Sequence, residues 1–290
     1  HLDKLRAQLP EAQKRFVDEI ADKYSVPPAT EGARPLAFSG AIVSRRDLQA
    51  HIDIALRHPI RLLVSGLGPF APDVVARARE ANVLIGGMCG SVKHARRHIH
   101  AGADVVIAQG SEAGGHTGEL STLVLVPQIV DAVGAVPVLA AGGIATGRQL
   151  AAVLALGAQG AWMGSVWLTS EETDVDPAVV EKLIAADSTQ TIRSRCLTGK
   201  PVRLLRTAFE EEWASPNAPS TLPAPLQGLL VLPIIHRAFQ NRVEPLMGTA
   251  VGQAVGLMNS QRSCRAIVDE MMLELIDSLE GVRRSLGFDE

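Results

Sequence analysis

The sequence predicts an α/β protein built around a parallel β-sheet, and three observations carry that prediction. Short continuous apolar runs lie at 62–65, 83–88, 105–108, 136–141 and 161–163, and helical stretches follow the first four at 72–80, 91–101, 123–133 and 148–156. Continuous apolar strands alternating with helices belong to a parallel sheet that is covered on both faces or closed into a barrel. Second, the passages 100–108 (HAGADVVIA), 132–140 (AVGAVPVLA) and 155–163 (ALGAQGAWM) share one phrase, a glycine just past a helix and then a strand, which marks a repeated βα unit. Third, 47% of residues are apolar but only 3% aromatic, so the core is built from Ala, Val, Leu and Ile, which suits tightly packed α/β layers.

The elements follow in order. Residues 1–30 read as one amphipathic helix, with Leu2, Leu5, Leu9, Phe16, Val17, Ile20 and Tyr24 on one face and Pro27-Pro28 as its stop. The five βα units come next. A closed eight-stranded βα barrel typically takes ~250 residues, so a barrel reading expects three strands to be missing. Beyond 170 the sequence predicts a small helical lobe. It has an acidic helix at 176–187, a Pro-rich stretch at 215–225 and a last helix burying Ile267, Val268, Met271, Met272, Leu275, Ile276 and Leu279. The expected division is therefore 1–60 as N-terminal helix and connecting segment, 61–170 as barrel, and 171–290 as helical lobe.

Composition narrows the function classes. The 290 residues carry 28 Lys and Arg against 31 Asp and Glu, a net charge of −3 that gives no electrostatic reason to bind nucleic acid or an anionic membrane. No apolar run reaches the ~18–20 residues of a membrane helix. Cys89, Cys196 and Cys264 are odd in number and far apart, which indicates neither a disulfide framework nor a zinc site and points to a reducing, cytoplasmic setting. The opening 14 residues are polar and amphipathic rather than a signal peptide, and without an initiator Met the true start is expected upstream.

Three segments carry the chemistry. Residues 108–118 (AQGSEAGGHTG) leave the end of a strand and spend four of eleven positions on glycine. Such loops build the active sites of barrels, and glycine lets backbone approach a ligand. His116 stands on this bare loop as a candidate general base, since imidazole titrates near neutrality. His94, His98 and His100 lie among basic helix neighbours and read as solvated. In 139–147 (LAAGGIATG) a strand runs into Gly142-Gly143 just before a helix, where outward amides attract a phosphate. One unit later, 161–165 (AWMGS) repeats the pattern, and consecutive loops of this kind match the phosphate site of barrels.

Other patterns fail. GLGPFA (66–71) fits a relaxed dinucleotide fingerprint but lacks the acidic residue ~20 positions on. TGKP (198–201) resembles a Walker tail, with Ser194 and Pro201 at positions that require other residues. A Ser111/Glu112/His116 triad has no nucleophile elbow.

The three segments resemble the nitronate monooxygenase family, formerly 2-nitropropane dioxygenases, most of all its actinobacterial-type members. The likeness runs on through 194–209 (SRCLTGKPVRLLRTAF) and 249–259 (TAVGQAVGLMN), so it covers most of 60–260. The resemblance implies a TIM barrel with FMN that oxidises an alkyl nitronate with O₂ to a carbonyl compound and nitrite. It implies that Gln109 lies beside the flavin ring and Gly114 makes a backbone contact in the same loop. Gly142 and Gly143 would form the first phosphate loop, and Met163, Gly164 and Ser165 the second. His116 would be the catalytic base, Trp162 replaces a Gln of many members, and Gln253 falls near the mouth of the site. The five strands correspond to the family's fourth to eighth, so the N-terminal part of the barrel is expected to be lacking. Two alternatives stand beside this reading: a flavin-dependent enoyl-ACP reductase-like enzyme using NAD(P)H, and a truncated, catalytically silent barrel fragment. The sequence leaves a homo-oligomer open.

Overall fold

The computed structural model describes residues 2–28 and 45–287, and the chain divides into two compact units. The 29–44 part of the connecting segment lies outside the described residues.

The first unit comprises residues 1–48 and 190–250. The single opening helix expected from the sequence is two helices, α1 (Leu2–Arg6) and α2 (Glu11–Lys23), because Pro10 stands as the N-cap of α2 with φ −70° and ψ 148°. Proline supplies no N–H and bars the helical conformation from its predecessor, so the chain restarts there. The apolar face is as expected: Val17 and Ile20 are buried against Phe209, Trp213, Val231 and Ile234, with Leu9, Phe16 and Tyr24 packed around them. Phe16 meets the Trp213 ring edge to face at 5.0 Å.

The rest of the unit lies past the strands of the barrel. An antiparallel pair, Thr191–Ser194 and Val202–Leu205, precedes the helices Ala208–Ala214 and Leu226–Gln240. The helical lobe expected after 170 thus also contains a β-hairpin. Glu210 is buried at the start of the first of these helices, where the Thr207 hydroxyl and N–H both donate to its carboxylate. Burial nonetheless pushes its carboxyl above the usual carboxylate range.

The second unit, 49–189 and 251–290, holds the sheet. Its strands are β1 (Leu62–Ser65), β2 (Leu84–Cys89), β3 (Val105–Gln109), β4 (Val138–Ala141) and β5 (Gly160–Trp162). They pair in parallel and in sequence order. That order decides between the two readings of the alternating pattern. A doubly wound sheet reverses its strand order, whereas right-handed crossovers taken always to the next strand place every helix on one side, as in a barrel. The fold is therefore α/β of the TIM-barrel type.

Helix α3 (Arg45–Ala55) precedes β1, and the intervening helices are α4 (Pro72–Glu80), α5 (Val92–His100), α6 (Thr122–Val133) and α7 (Gly147–Ala155). Val106, Ala108, Val138 and Ala140 face them and pack with Ala95, Leu125, Val126 and Ile129 into a fully buried cluster. The repeated helix-end phrase has the expected geometry: Gly102, Gly134 and Gly157 have φ of 94°, 62° and 92°, where a β-carbon would be strained.

Two expectations about this unit are corrected. The last helix, α8 (Cys264–Ser285), buries Ile267, Met271 and Leu275, but Val268, Met272, Ile276 and Leu279 are about half exposed. Residues four apart form one narrow stripe, and these three are the apolar residues of the helix that pack inward. His98 is not solvated. It is 3% exposed, because Gly87 has no side chain and the imidazole fills that place.

Burial holds the His98 pKa below the ordinary 6.5, aided by the charges of His94 and Arg97 and opposed by a hydrogen bond to the Met88 backbone. The unfolded chain therefore takes up this proton first as pH falls. Stability is complete above about 6.5 and is lost as pH drops from there toward the folded-state value. Urea midpoints at pH 7.5 and 5.0 should fall more for the wild type than for His98→Gln; equal acid slopes would show that His98 is not the sensor.

Candidate active site

Because the five strands are parallel, their C-terminal ends share one edge, and every segment singled out from the sequence leaves that edge. Register sets which side chains meet there. Gln109 pairs with Ala141, and Ala141 with Trp162. Paired residues in a parallel sheet point to the same face. Ala140 and Ala161 face the helices, so Gln109, Ala141 and Trp162 form the last layer of the opposite face. Ala141, 3% exposed, lies between Gln109 and Trp162, whose strands are two spacings or about 10 Å apart.

The loop after β3 is held at several points. Ser111 N–H donates to Leu120 at 2.8 Å, and Gly110 N–H to Ala141 at 2.9 Å. A β-carbon on Gly110 would lie 2.1 Å from the Thr122 hydroxyl and 2.6 Å from the Glu112 carboxylate, so only glycine fits. At the start of α6 the Thr122 N–H donates to both Glu112 carboxylate oxygens, at 3.0 and 2.9 Å. The Thr122 hydroxyl lies 2.9 Å from the Gly142 carbonyl and 3.1 Å from Glu112 Oε2. On the other side, Gly114 presses on the backbone of Val251 and Gly252, and the Gln253 N–H donates to the Glu112 carbonyl at 2.9 Å. His116 is exposed beyond Gly115 on this anchored loop.

The next two turns lie side by side, because β4 and β5 are paired neighbours. Gly142 and Gly143 have φ of 102° and 75°. Gly164 has open space where a side chain would be. The backbone amides of Gly143, Gly164 and Ser165 donate to no described residue. Ser165 Oγ accepts from the Gly252 N–H at 2.8 Å, which leaves its hydroxyl proton available. Met163 contributes differently. Its side chain packs under the turn, and its carbonyl accepts from the Trp167 indole at 2.8 Å.

Most amides at the start of α7 are already used: Gln149 accepts from Ala145 and Thr146, Thr146 Oγ1 from Gln149, and Glu274 of α8 from Gly147 at 2.7 Å.

Structure thus brings Gln109, Gly114, His116, Gly142, Gly143, Met163, Gly164 and Ser165 to one edge. Beside them stand Glu112, Thr122, Val251 and Gly252, to which the sequence assigns no role, and Gln253, which the resemblance places near the mouth. Glu112 was legible only as a failed triad member; that a carboxylate follows the strand by three residues and precedes a helix start by ten was the available clue. Among the described residues no cluster of three or more His, Cys, Asp or Glu could hold a metal, and no helix is long and apolar enough to cross a membrane. Burial pushes the Cys89 and Cys196 thiols up to about 12, so neither is a nucleophile near neutral pH.

Fold and site together describe a protein of the TIM-barrel type whose strand-end loops leave backbone N–H groups unengaged at one edge. A family model for nitronate monooxygenase matches residues 6–274, and the chain belongs to that family, which is one of oxidoreductases. It is 48% identical over 280 residues to Rv1533 of Mycobacterium tuberculosis, a protein named as a monooxygenase, across 94% of this chain and 75% of that one. A protein of Staphylococcus aureus (strain N315) named as a nitronate monooxygenase is 35% identical over 181 residues, 59% of this chain; the chain spans about half of that relative's length (51%). The crystal structure of nitroalkane oxidase from Streptomyces ansochromogenes superposes with a TM-score of 0.79 at 28% identity, covering 94% of this chain and 78% of that one.

Proposed function

We propose that this chain belongs to an FMN-dependent enzyme that oxidises alkyl nitronates with O₂ to carbonyl compounds and nitrite. The observation that carries the reading is the pair of adjacent glycine turns, whose amides at Gly143, Gly164 and Ser165 are unengaged beside the strand ends that carry Gln109 and Trp162. The turns suit the flavin phosphate in charge and in close backbone approach.

Gly142, Gly143, Met163, Gly164 and Ser165 would hold the phosphate through their backbone, with the Ser165 hydroxyl as a further donor. Gln109 would orient the ring by hydrogen bonding from the end of β3. When bound, FMN supplies the electron acceptor that no side chain here can be. A nitronate is already a carbanion equivalent and needs no deprotonation. A neutral nitroalkane must lose an α-proton, and His116 would take it; an imidazolium there would also hold the anionic nitro group.

Two experiments test this. Purified chain incubated with FMN should retain flavin bands that bleach on anaerobic addition of ethyl nitronate. Bleaching by NADH or NADPH instead would favour the enoyl-reductase-like alternative, and a protein that never retains FMN would remove the flavin reading. His116→Asn should lower nitroalkane oxidation by about 100-fold while leaving nitronate oxidation within about threefold. Equal loss on both substrates would rule out the base role.

A further inference from the structure

We infer that Thr122 and Glu112 form a lock that sets the direction of the Gly142–Gly143 peptide and so aims one donor of the phosphate cradle. The inference rests on the flavin reading of the same site. In a trans peptide the carbonyl of one residue and the N–H of the next point in opposite directions. The Thr122 hydroxyl donates to the Gly142 carbonyl at 2.9 Å from the packed, helix side of the turn. The Gly143 N–H is thereby turned away from Thr122, and it meets no described residue. A peptide between two glycines, both at positive φ, has little steric resistance to flipping, so its direction has to be fixed from outside. Flipped, it would present a carbonyl oxygen to the phosphate instead of a donor.

Glu112 holds the lock in place. Its carboxylate grips the Thr122 N–H and lies 3.1 Å from the Thr122 hydroxyl, and its backbone carbonyl is tied to Gln253. Thr122 is 7% exposed, so water is a poor substitute for either partner. The hydroxyl has one proton and three acceptors within reach: the Gly142 carbonyl at 2.9 Å, Glu112 at 3.1 Å and the Ala141 carbonyl at 3.3 Å. A glutamine at 112 would relieve that competition: its amide oxygen accepts from the Thr122 N–H, and its NH₂ donates to the hydroxyl oxygen. These are positioning residues; neither is assigned contact with flavin or substrate.

The test uses the whole chain and two readouts, the FMN dissociation constant from flavin fluorescence quenching and the Gly143 amide resonance in flavin-free protein. Thr122→Val, which keeps the shape and removes the hydroxyl, should weaken FMN binding by about tenfold and split or broaden the Gly143 resonance; Thr122→Ser should restore both. Glu112→Ala should behave like Thr122→Val, and Glu112→Gln should bind FMN within about threefold of wild type. If Glu112→Ala fails to fold, the Thr122 pair decides alone. Wild-type behaviour of Thr122→Val on both readouts overturns the lock, as does a Glu112→Gln as damaged as Glu112→Ala, which would make the charge the essential feature. If the wild type binds no FMN, the flavin reading falls, and the resonance of Gly143 still decides the lock.

Discussion

Gly147→Ala should destabilise the protein by about 2 kcal/mol or more, although alanine is the better helix former by about 1 kcal/mol. Gly147 opens α7 where α8 lies across it. A β-carbon there would stand 2.2 Å from the Met271 carbonyl oxygen and 2.4 Å from the Leu275 nitrogen. Both are backbone atoms of a helix, so no rotamer change relieves the clash. The helices must separate, which loosens the burial of Ile267 and Met271 against Met163 and Trp167 and stretches the Glu274 carboxylate from the Gly147 N–H. The penalty exceeds the propensity gain because overpacking against backbone is relieved only by moving whole elements. Gly281→Ala is the contrasting substitution: it lies in α8 with nothing within 4 Å of the added carbon, and it should stabilise by about 1 kcal/mol. Urea unfolding of the two variants beside wild type checks both signs. A Gly147→Ala midpoint at or above wild type would mean that α8 shifts freely on α7.

Gly114→Ala should cost about 100-fold in kcat/KM for nitroalkane oxidation while changing overall stability by less than about 1 kcal/mol. The added carbon would lie 2.8 Å from the Val251 carbonyl carbon and Cα and 2.9 Å from the Gly252 nitrogen. The loop then has to lift off the 251–253 segment, and the Gln253-to-Glu112 hydrogen bond lengthens with it. His116 lies two residues further along, so the displacement falls on the proposed base and on the loop that starts at Gln109. Misplacement of about 1 Å is enough for a loss of that size. Steady-state kinetics with nitroethane, beside thermal unfolding, separates the outcomes: retained kcat/KM would show that the loop does not position the reacting groups, and a collapsed melting temperature would make Gly114 a folding residue instead.

Much of the second unit was legible along the chain because its information is local. A strand buried on both faces is a continuous apolar run, a helix stop is a glycine at positive φ, and both survive in one dimension: helix 72–80 was read with the bounds it has, and the five strands within one or two residues. The glycine turns and the His116 loop were equally visible, since backbone approach and strand-end placement leave a composition signature. Pro10 was legible too and was outweighed by a periodic apolar face that continues on both sides of it.

What the sequence by itself determined is the βα alternation, the family likeness and the residues at the strand ends. Tertiary structure alone decided which distant pieces meet. Strand order made the sheet barrel-type, register put Gln109, Ala141 and Trp162 in one layer, and packing brought Gly252 to Ser165 and Glu274 to the start of α7. It also buried His98, whose basic neighbours read as solvent-facing, in the space left by a glycine on another element. The physical reason is the range of the interactions. Propensity, capping and turn strain act within a few residues and are written in the order of the chain. Register, steric fit and the satisfaction of buried donors depend on groups far apart along the chain, about which no local pattern carries information.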